Sequence, residues 1–312
     1  MLLVALVGAI ALALAWPVPL VLERARWTLR APALALLLWQ AIALGGGIAM
    51  IGSLLGLALL PFPGGLAEAV PVLAAHLWSG PLPAAVGVVH IAALAAAGIL
   101  SALLLLTLAA TAVQVERDRR RHVSLVAMLG RADPQRPNTV VLDHPVPVAY
   151  CLPGVTTVTV LSEGLIETLP PRELDAVLAH ESTHLRQYHH LVLLAFRAWN
   201  RALPWFPIAN RAERSVSRLV ELLADDRAVR EVDQEVLASA VERIGSAWGA
   251  AEASGTAAGR AVVDRAMLEL RRARLTAPAR PLPPAANAGV IALSAAIVAF
   301  PVFSVLTFMS GT

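Results

Sequence analysis

Four long stretches without a single charged residue constrain this chain more than any other feature. They run from Leu2 to Leu22, Ala33 to Leu60, Ala84 to Val113 and Ala288 to Phe308. At 1.5 Å per residue, about 20 apolar residues cross the hydrocarbon layer of a bilayer as a helix. Such runs have no place in an ordinary soluble fold, so the expected architecture is a polytopic membrane protein, mainly α, with about four transmembrane helices. The second run is expected to be interrupted at Gly45, Gly46 and Gly47. The composition agrees. Of 312 residues, 57% are hydrophobic and 15% charged, against about a quarter charged in soluble domains.

The first run has a rival reading as a secretory signal, because Ala13-Leu14-Ala15 resembles a small-residue cleavage site. No Lys or Arg precedes the run, which favours a retained span. Orientation follows from the cations. Arg24, Arg26 and Arg30 follow the first run, and Arg117, Arg119, Arg120 and Arg121 follow the third. The stretch from Pro61 to Pro83 has none and reads as a loop. The expected topology puts the N-terminus outside, the residues after the third run in the cytoplasm, and the protein in the cell membrane. The arginines act as topological anchors in this reading. No basic patch interleaved with aromatics points to direct nucleic-acid binding.

Residues 114–287 are numerous enough for one compact domain, expected to be α+β. Thr139 to Leu142 and Val155 to Leu161 are rich in β-branched residues and read as short strands. An exposed edge near a peptide-binding site would make the second a docking strand; an ordinary core strand is the better expectation. Pro170-Pro171-Arg172-Glu173 opens a helix with proline in the first turn and an acid near the positive dipole end. That helix is expected to reach about His190, with Leu174, Val177, Leu178 and Leu185 as its apolar stripe. Leu191 to Leu203 is too short for a span and reads as a buried or interfacial helix. Further helices are expected over 210–232, 235–248 and 261–275, with a small-residue loop at Ser254 to Gly259 and a proline-rich linker from Pro278 to Pro284.

One pentapeptide carries chemistry. His180-Glu181-Ser182-Thr183-His184 places two imidazoles one helical turn apart, about 400° around the axis, so both project from one face. Two such rings can ligate one zinc ion, and Glu181 beside them can reach an attacking water. A catalytic zinc takes three protein ligands. Glu221 is the candidate third, and Asp225, one turn beyond it, can accept a hydrogen bond from the free ring nitrogen of a ligand His. The expected centre is therefore one Zn²⁺ on His180, His184 and Glu221, with Glu181 catalytic and Asp225 behind the ligands. His189 and His190 read as helix-end cations suited to the dipole, not as ligands. His76 and His90 are isolated, His122 and His144 read as surface residues, and Cys151 as a small buried residue.

At this point the chain resembles a known family. Leu174 to Leu185 is similar to the zinc helix of the BlaR/MecR-type membrane peptidases, and the related HtpX-type peptidases have a similar helix. Trp205-Phe206-Pro207 followed by Glu221-Leu222-Leu223-Ala224-Asp225 looks like the second family block, which often has Cys where Ala224 stands. Tyr150-Cys151-Leu152-Pro153-Gly154 resembles the loop before the family's edge strand. The resemblance implies a cytoplasmic gluzincin-like zinc metalloendopeptidase with three spans before it and one after. It further implies signal transduction by loss of a BlaI/MecI-type winged-helix repressor, as in antibiotic-resistance regulation. The penicillin-binding sensor would follow the fourth span, and the chain stops at Thr312, so the resemblance does not extend to β-lactam recognition by acylation. The implied partners are a protein substrate, with such a repressor among the candidates, and the lipid bilayer; a homo-oligomer stays open. Two other expectations compete: an HtpX-like quality-control protease of membrane proteins, and a non-cleaving membrane scaffold.

Overall fold

Pro17 divides the first apolar run. The residue before a proline is pushed out of the α region, and Trp16 sits at φ −132°, ψ −74°. Helix α1 (Leu2–Ala15) therefore ends there, and α2 (Pro17–Arg24) starts with Pro17 in its first turn. A 3₁₀ turn, Arg26–Leu29, leads to α3 (Pro32–Leu59). The computed structural model describes residues 1–79, 84–152, 157–204, 207–253, 265–277 and 280–311. Its architecture is mainly helical, with one small sheet.

Helix α3 runs unbroken through Gly45, Gly46 and Gly47, contrary to the expected interruption. Glycine lowers helix propensity in water, but an apolar surrounding leaves the backbone no other hydrogen-bond partner than itself. The small residues serve packing instead. A Cβ on Gly52 would lie 2.6 Å from Val305, and one on Gly56 would lie 2.7 Å from the Phe308 ring. Both neighbours belong to α12 (Pro284–Ser310), which this smooth face of α3 admits at close range.

Helix α4 (Gly65–Ser79) occupies the stretch that reads as a loop. The Glu68 carboxylate accepts the Gly64 N–H at 2.6 Å at its start. Leu66, Ala69, Val72 and Leu73 pack with Leu59, Phe62 and Phe308. Helix α5 (Val88–Leu129) fuses the third apolar run with the arginine-rich segment in one rod of 42 residues. At 1.5 Å per residue it is about 63 Å long, twice what a bilayer core needs. Among the described residues, four helical segments are long and apolar enough to cross a membrane: Leu2–Arg24, Pro32–Leu59, Val88–Leu129 and Pro284–Ser310. They fit a multi-pass membrane protein.

The sheet contains β1 (Arg131–Ala132), β2 (Thr139–Leu142), β3 (Ala149–Leu152) and β4 (Val158–Ser162). Its order is β1-β2-β4-β3, with β2 and β4 parallel and the other pairs antiparallel. Val158–Ser162 is thus a central strand, in line with the core reading, and Val155 and Thr156 lie outside the described residues. The edges belong to β1 and β3, and in β3 Tyr150-Cys151-Leu152 forms a strand and not the preceding loop. Pro153 and Gly154 fall outside the described residues, as do Trp205, Phe206, the Ser254–Gly259 loop, residues 261–264, and Pro278 and Ala279 of the linker.

A short helix, α6 (Glu163–Thr168), is capped by Ser162, whose Oγ accepts the Leu165 N–H at 3.1 Å. Then come α7 (Pro171–Arg186), α8 (His189–Ala202), α9 (Pro207–Ala228), α10 (Gln234–Ala253) and α11 (Arg265–Thr276). The chain forms two compact units. One comprises 1–109, 196–216 and 282–312; the other comprises 110–195 and 217–281. In the second unit, Leu174 and Val177 of α7 join Leu161, Leu165, Leu169 and Ala240 in a buried cluster. Glu173 adds a polar clamp there: it accepts from Ser239 Oγ at 2.8 Å and pairs with Arg243 at 3.1 Å, tying α7 to α10.

Candidate metal centre

Helical spacing sets the first pair of groups. His180 and His184 stand one turn apart on α7, and their Nε2 atoms are 3.1 Å apart. Helix α9 presents Glu221, one turn before Asp225. Glu221 Oε2 lies 3.4 Å from His180 Nε2, and its Oε1 lies 3.6 Å from His184 Nε2. These three residues are the group among the described residues whose donor atoms converge closely enough for one metal ion. Two ligands at about 2.1 Å from a tetrahedral ion are roughly 3.4 Å apart, close to the spacing of the two imidazole nitrogens and of each from its nearer Glu221 oxygen. The donor set, two imidazoles and a carboxylate, is one that catalytic zinc uses.

Behind the donors, each imidazole has its other nitrogen held. His180, 4% exposed, directs Nδ1 at Asp225 Oδ1 at 2.8 Å. His184 directs Nδ1 at His189 Nδ1 at 3.1 Å, and His189 Nε2 meets Gln187 Oε1 at 2.9 Å. The amide oxygen only accepts, so His189 donates from Nε2 and keeps a lone pair on Nδ1. His184 must then donate from its own Nδ1, which leaves Nε2 with the lone pair a metal needs. Both Nε2 atoms therefore face the shared space.

The sequence expectation for His189 is corrected here. Helix α7 does not reach His190; it ends at Arg186. Tyr188 takes φ +53°, and this left-handed residue starts a new helix at His189. The turn swings His189 back beneath His184, where it is 2% exposed. Nothing in helical periodicity marks a His five residues after a ligand.

Arg271 is the other group that sequence reasoning missed. It reaches Asp225 with a two-point pair, Nε to Oδ2 at 2.8 Å and Nη2 to Oδ1 at 2.7 Å. Its Nη1 lies 3.5 Å from Glu221 Oε2. The next turn of α11 repeats the motif, with Arg274 Nη2 on Asp226 Oδ2 at 2.8 Å. Arg271 follows Asp225 by 46 residues, a separation at which no local pattern relates them.

Charge and burial then divide the titratable groups. Burial, then Glu221 and Asp225, raise Glu181 to about 7, against the pull of His180 and Arg271. Burial lowers His184 to about 4, and His189 likewise. Burial and Arg271 also press on His180, yet its contacts to Asp225 and Glu221 win and hold it above the ordinary range. Burial works against the ionised Glu221 and Asp225, but His180 and Arg271 keep both carboxyls well below the usual range. The centre thus combines one carboxyl near neutrality, Glu181, with two that stay ionised.

The remaining candidates are peripheral. His122 contacts the Tyr150 hydroxyl at 2.7 Å and is exposed; His144 accepts from the Val146 N–H at 3.2 Å. His90 Nδ1 accepts the Gly87 N–H at 3.1 Å at the start of α5. Cys151 is half-buried on β3, with Sγ 3.6 Å from Thr159 Oγ1. The side chain of His76 lies outside the described residues.

Residues 113–209 match the family model described as peptidase family M48. The matched segment contains the sheet, His180, Glu181, His184 and His189, and stops short of Glu221, Asp225 and Arg271. The match supports a metallopeptidase of that family, whose members depend on a metal, typically zinc. No curated protein and no solved structure matches the chain.

Proposed function

We propose that the chain is a membrane-anchored zinc endopeptidase in which His180, His184 and Glu221 hold one ion and Glu181 is the general base. The observation that carries this reading is the convergence of the donor atoms: the two Nε2 atoms lie 3.1 Å apart, and the Glu221 carboxylate brings one oxygen to 3.4 Å from His180 Nε2 and the other to 3.6 Å from His184 Nε2. Asp225 and His189 fix the two ligand rings. Zinc bound there would polarise a substrate carbonyl and make water more acidic.

The chain's own residues supply the rest. Glu181 takes a proton from the attacking water on a carboxylate oxygen and returns it to the leaving amine nitrogen. Helix α7 also borders β3, an edge strand. One side of β3 pairs with β4; a substrate backbone adding to the other side would be drawn past Glu181 as an extra strand.

The gluzincin-like fold, cytoplasmic placement and regulatory role belong to this proposal. The arginines after the first and third spans support cytoplasmic placement. The BlaR/MecR-like helix and second block support signalling through removal of a winged-helix repressor. A second reading, HtpX-like quality control of membrane proteins, rests on the similarity of Leu174 to Leu185 to the helix of those peptidases. One experiment separates them: comparison of cleaved protein termini in cells carrying wild-type or Glu181→Gln protein. Cuts confined to one cytoplasmic repressor indicate regulation. Cuts spread over membrane proteins indicate quality control. With no cut that depends on Glu181, the peptidase reading fails.

A further inference from the structure

A groove opens among the apolar helices of the first compact unit. Trp39, Ala43, Gly46 and Met50 recur at helical spacing on α3 and form its floor, and Phe196 and Trp199 of α8 stand over them. Gly46 leaves the floor bare: a Cβ there would first meet Leu14, at 3.4 Å. From Trp39 to Met50 the floor follows about 16 Å of helix, close to half of a hydrocarbon core about 30 Å thick.

No charged side chain lines the groove. Its open volume is about 50 Å³, room for roughly three to five waters at 10–15 Å³ each, but water stays in such a space only where polar groups bind it. An apolar chain would restore the dispersion contacts that the bare walls lack. A second helix, about 10 Å across, is too thick to enter; a single acyl chain is not.

The rim is strongly basic. The two segments beside the groove, residues 19–31 and 196–216, carry seven arginines and two glutamates. Arg211 Nη1 on Glu23 Oε2 at 3.0 Å holds these segments side by side. Arg24 ends α2, about 7.5 Å along the helix from Pro19 in the groove wall. Arg24 and Arg26 are exposed and form no ion pair among the described residues. On α9, exposed Arg214 lies two residues past Ala212 of the wall.

We propose that this groove and its rim bind one anionic phospholipid of the surrounding bilayer. An acyl chain lies along α3 under Phe196 and Trp199, and the headgroup phosphate meets Arg24 and Arg26. A zwitterionic lipid offers the same chain but lacks the net charge that the arginines select. The site does not depend on the zinc centre.

The test uses the full-length protein in nanodiscs of phosphatidylcholine, which present both leaflets whatever the topology. Trp39 and Trp199 line the groove, so a phospholipid brominated on its acyl chain quenches their fluorescence when bound there. Brominated phosphatidylglycerol is expected to reach half of its quenching at a mole fraction about ten- to thirty-fold below that of brominated phosphatidylcholine, as two arginines near a membrane surface would give. Replacing both cations, Arg24→Gln with Arg26→Gln, should erase that difference and leave quenching by phosphatidylcholine unchanged. Gly46→Leu should fill the groove and abolish the tight component, with Ala43→Leu as a second filling variant; thermal unfolding identifies either one that fails to fold. If neither folds, the arginine variant decides alone. Equal quenching by the two lipids in wild-type protein overturns the proposal. So does a preference that persists in the arginine variant or in a filling variant that folds. Quenching by neither lipid, in particles that hold two copies, would put another chain over the groove and overturn it as well.

Discussion

His184 Nδ1 lies 3.1 Å from His189 Nδ1, although a continuous helix would send residues five apart in different directions. The left-handed Tyr188 makes the contact, and Gln187 sets its polarity by accepting from the far side of His189. A residue outside the donor triangle thereby decides which nitrogen of His184 faces it.

Replacing His189 tests this arrangement. His189→Ala should weaken zinc binding about 10- to 100-fold, the usual cost of losing a group that orients a ligand. His189→Gln should recover part of it, because an amide oxygen can still accept from His184 Nδ1. Competition against a chelator of known affinity reads the change. Equal affinity in wild type and both variants would show that His184 needs no partner.

Glu181→Gln separates chemistry from metal binding. The variant should retain one zinc per chain, since Glu181 lies outside the donor triangle. Its kcat should fall by about 10²- to 10⁴-fold, the range for a positioned general base. Parallel zinc analysis and peptide turnover check both halves. Full turnover in the variant would remove Glu181 from the mechanism.

Arg271→Ala leaves Asp225, 1% exposed, without its two-point partner. Removing one partner of a buried ion pair costs up to about 3–5 kcal/mol, and the contact of Asp225 with His180 Nδ1 offsets part of it. The variant should unfold at clearly lower temperature in detergent and lose zinc affinity as Asp225 releases His180. Arg271→Lys should recover the charge but not the fork. An unaltered melting temperature in Arg271→Ala would mean that the pair contributes little.

The glycines of the apolar helices should respond differently to alanine. Gly52→Ala forces a methyl to within 2.6 Å of Val305 and should destabilise the packing of α3 on α12 by about 1–3 kcal/mol. Gly98→Ala on α5 meets nothing within 4 Å and should be neutral or stabilising by about 0.5–1 kcal/mol. Thermal unfolding of both in one detergent gives the comparison. Equal shifts would argue against the close approach of α12.

Chelation offers a check independent of mutation. Removing zinc should abolish cleavage and lower the unfolding temperature, since a ligand bound only to the folded state stabilises it in proportion to its saturation. Restoring zinc should reverse both effects. Activity that persists after verified metal removal contradicts the proposed centre.

The sequence by itself determined the features set by local periodicity and by solvent. Uncharged runs of about 20 residues or more declared four helical segments long and apolar enough to cross a membrane, because a charged residue would be costly in hydrocarbon. The His180–His184 spacing placed two imidazoles on one helical face, because the α-helix repeats every 3.6 residues. Glu221 and Asp225 were legible as a matching pair one turn apart. Tertiary structure alone decided the rest. It carried α3 through three consecutive glycines, which let neighbours approach closely: Ile297 of α12 at Gly45, Leu14 of α1 at Gly46 and Trp199 of α8 at Gly47. It put β3 at one edge of the sheet and β4 inside it, an order that no residue pattern encodes. It turned the chain at Tyr188 so that His189 supports His184, and it brought Arg271 onto Asp225 across 46 residues. Those contacts rest on burial and on the pairing of distant charges, which arise only once separate helices have packed.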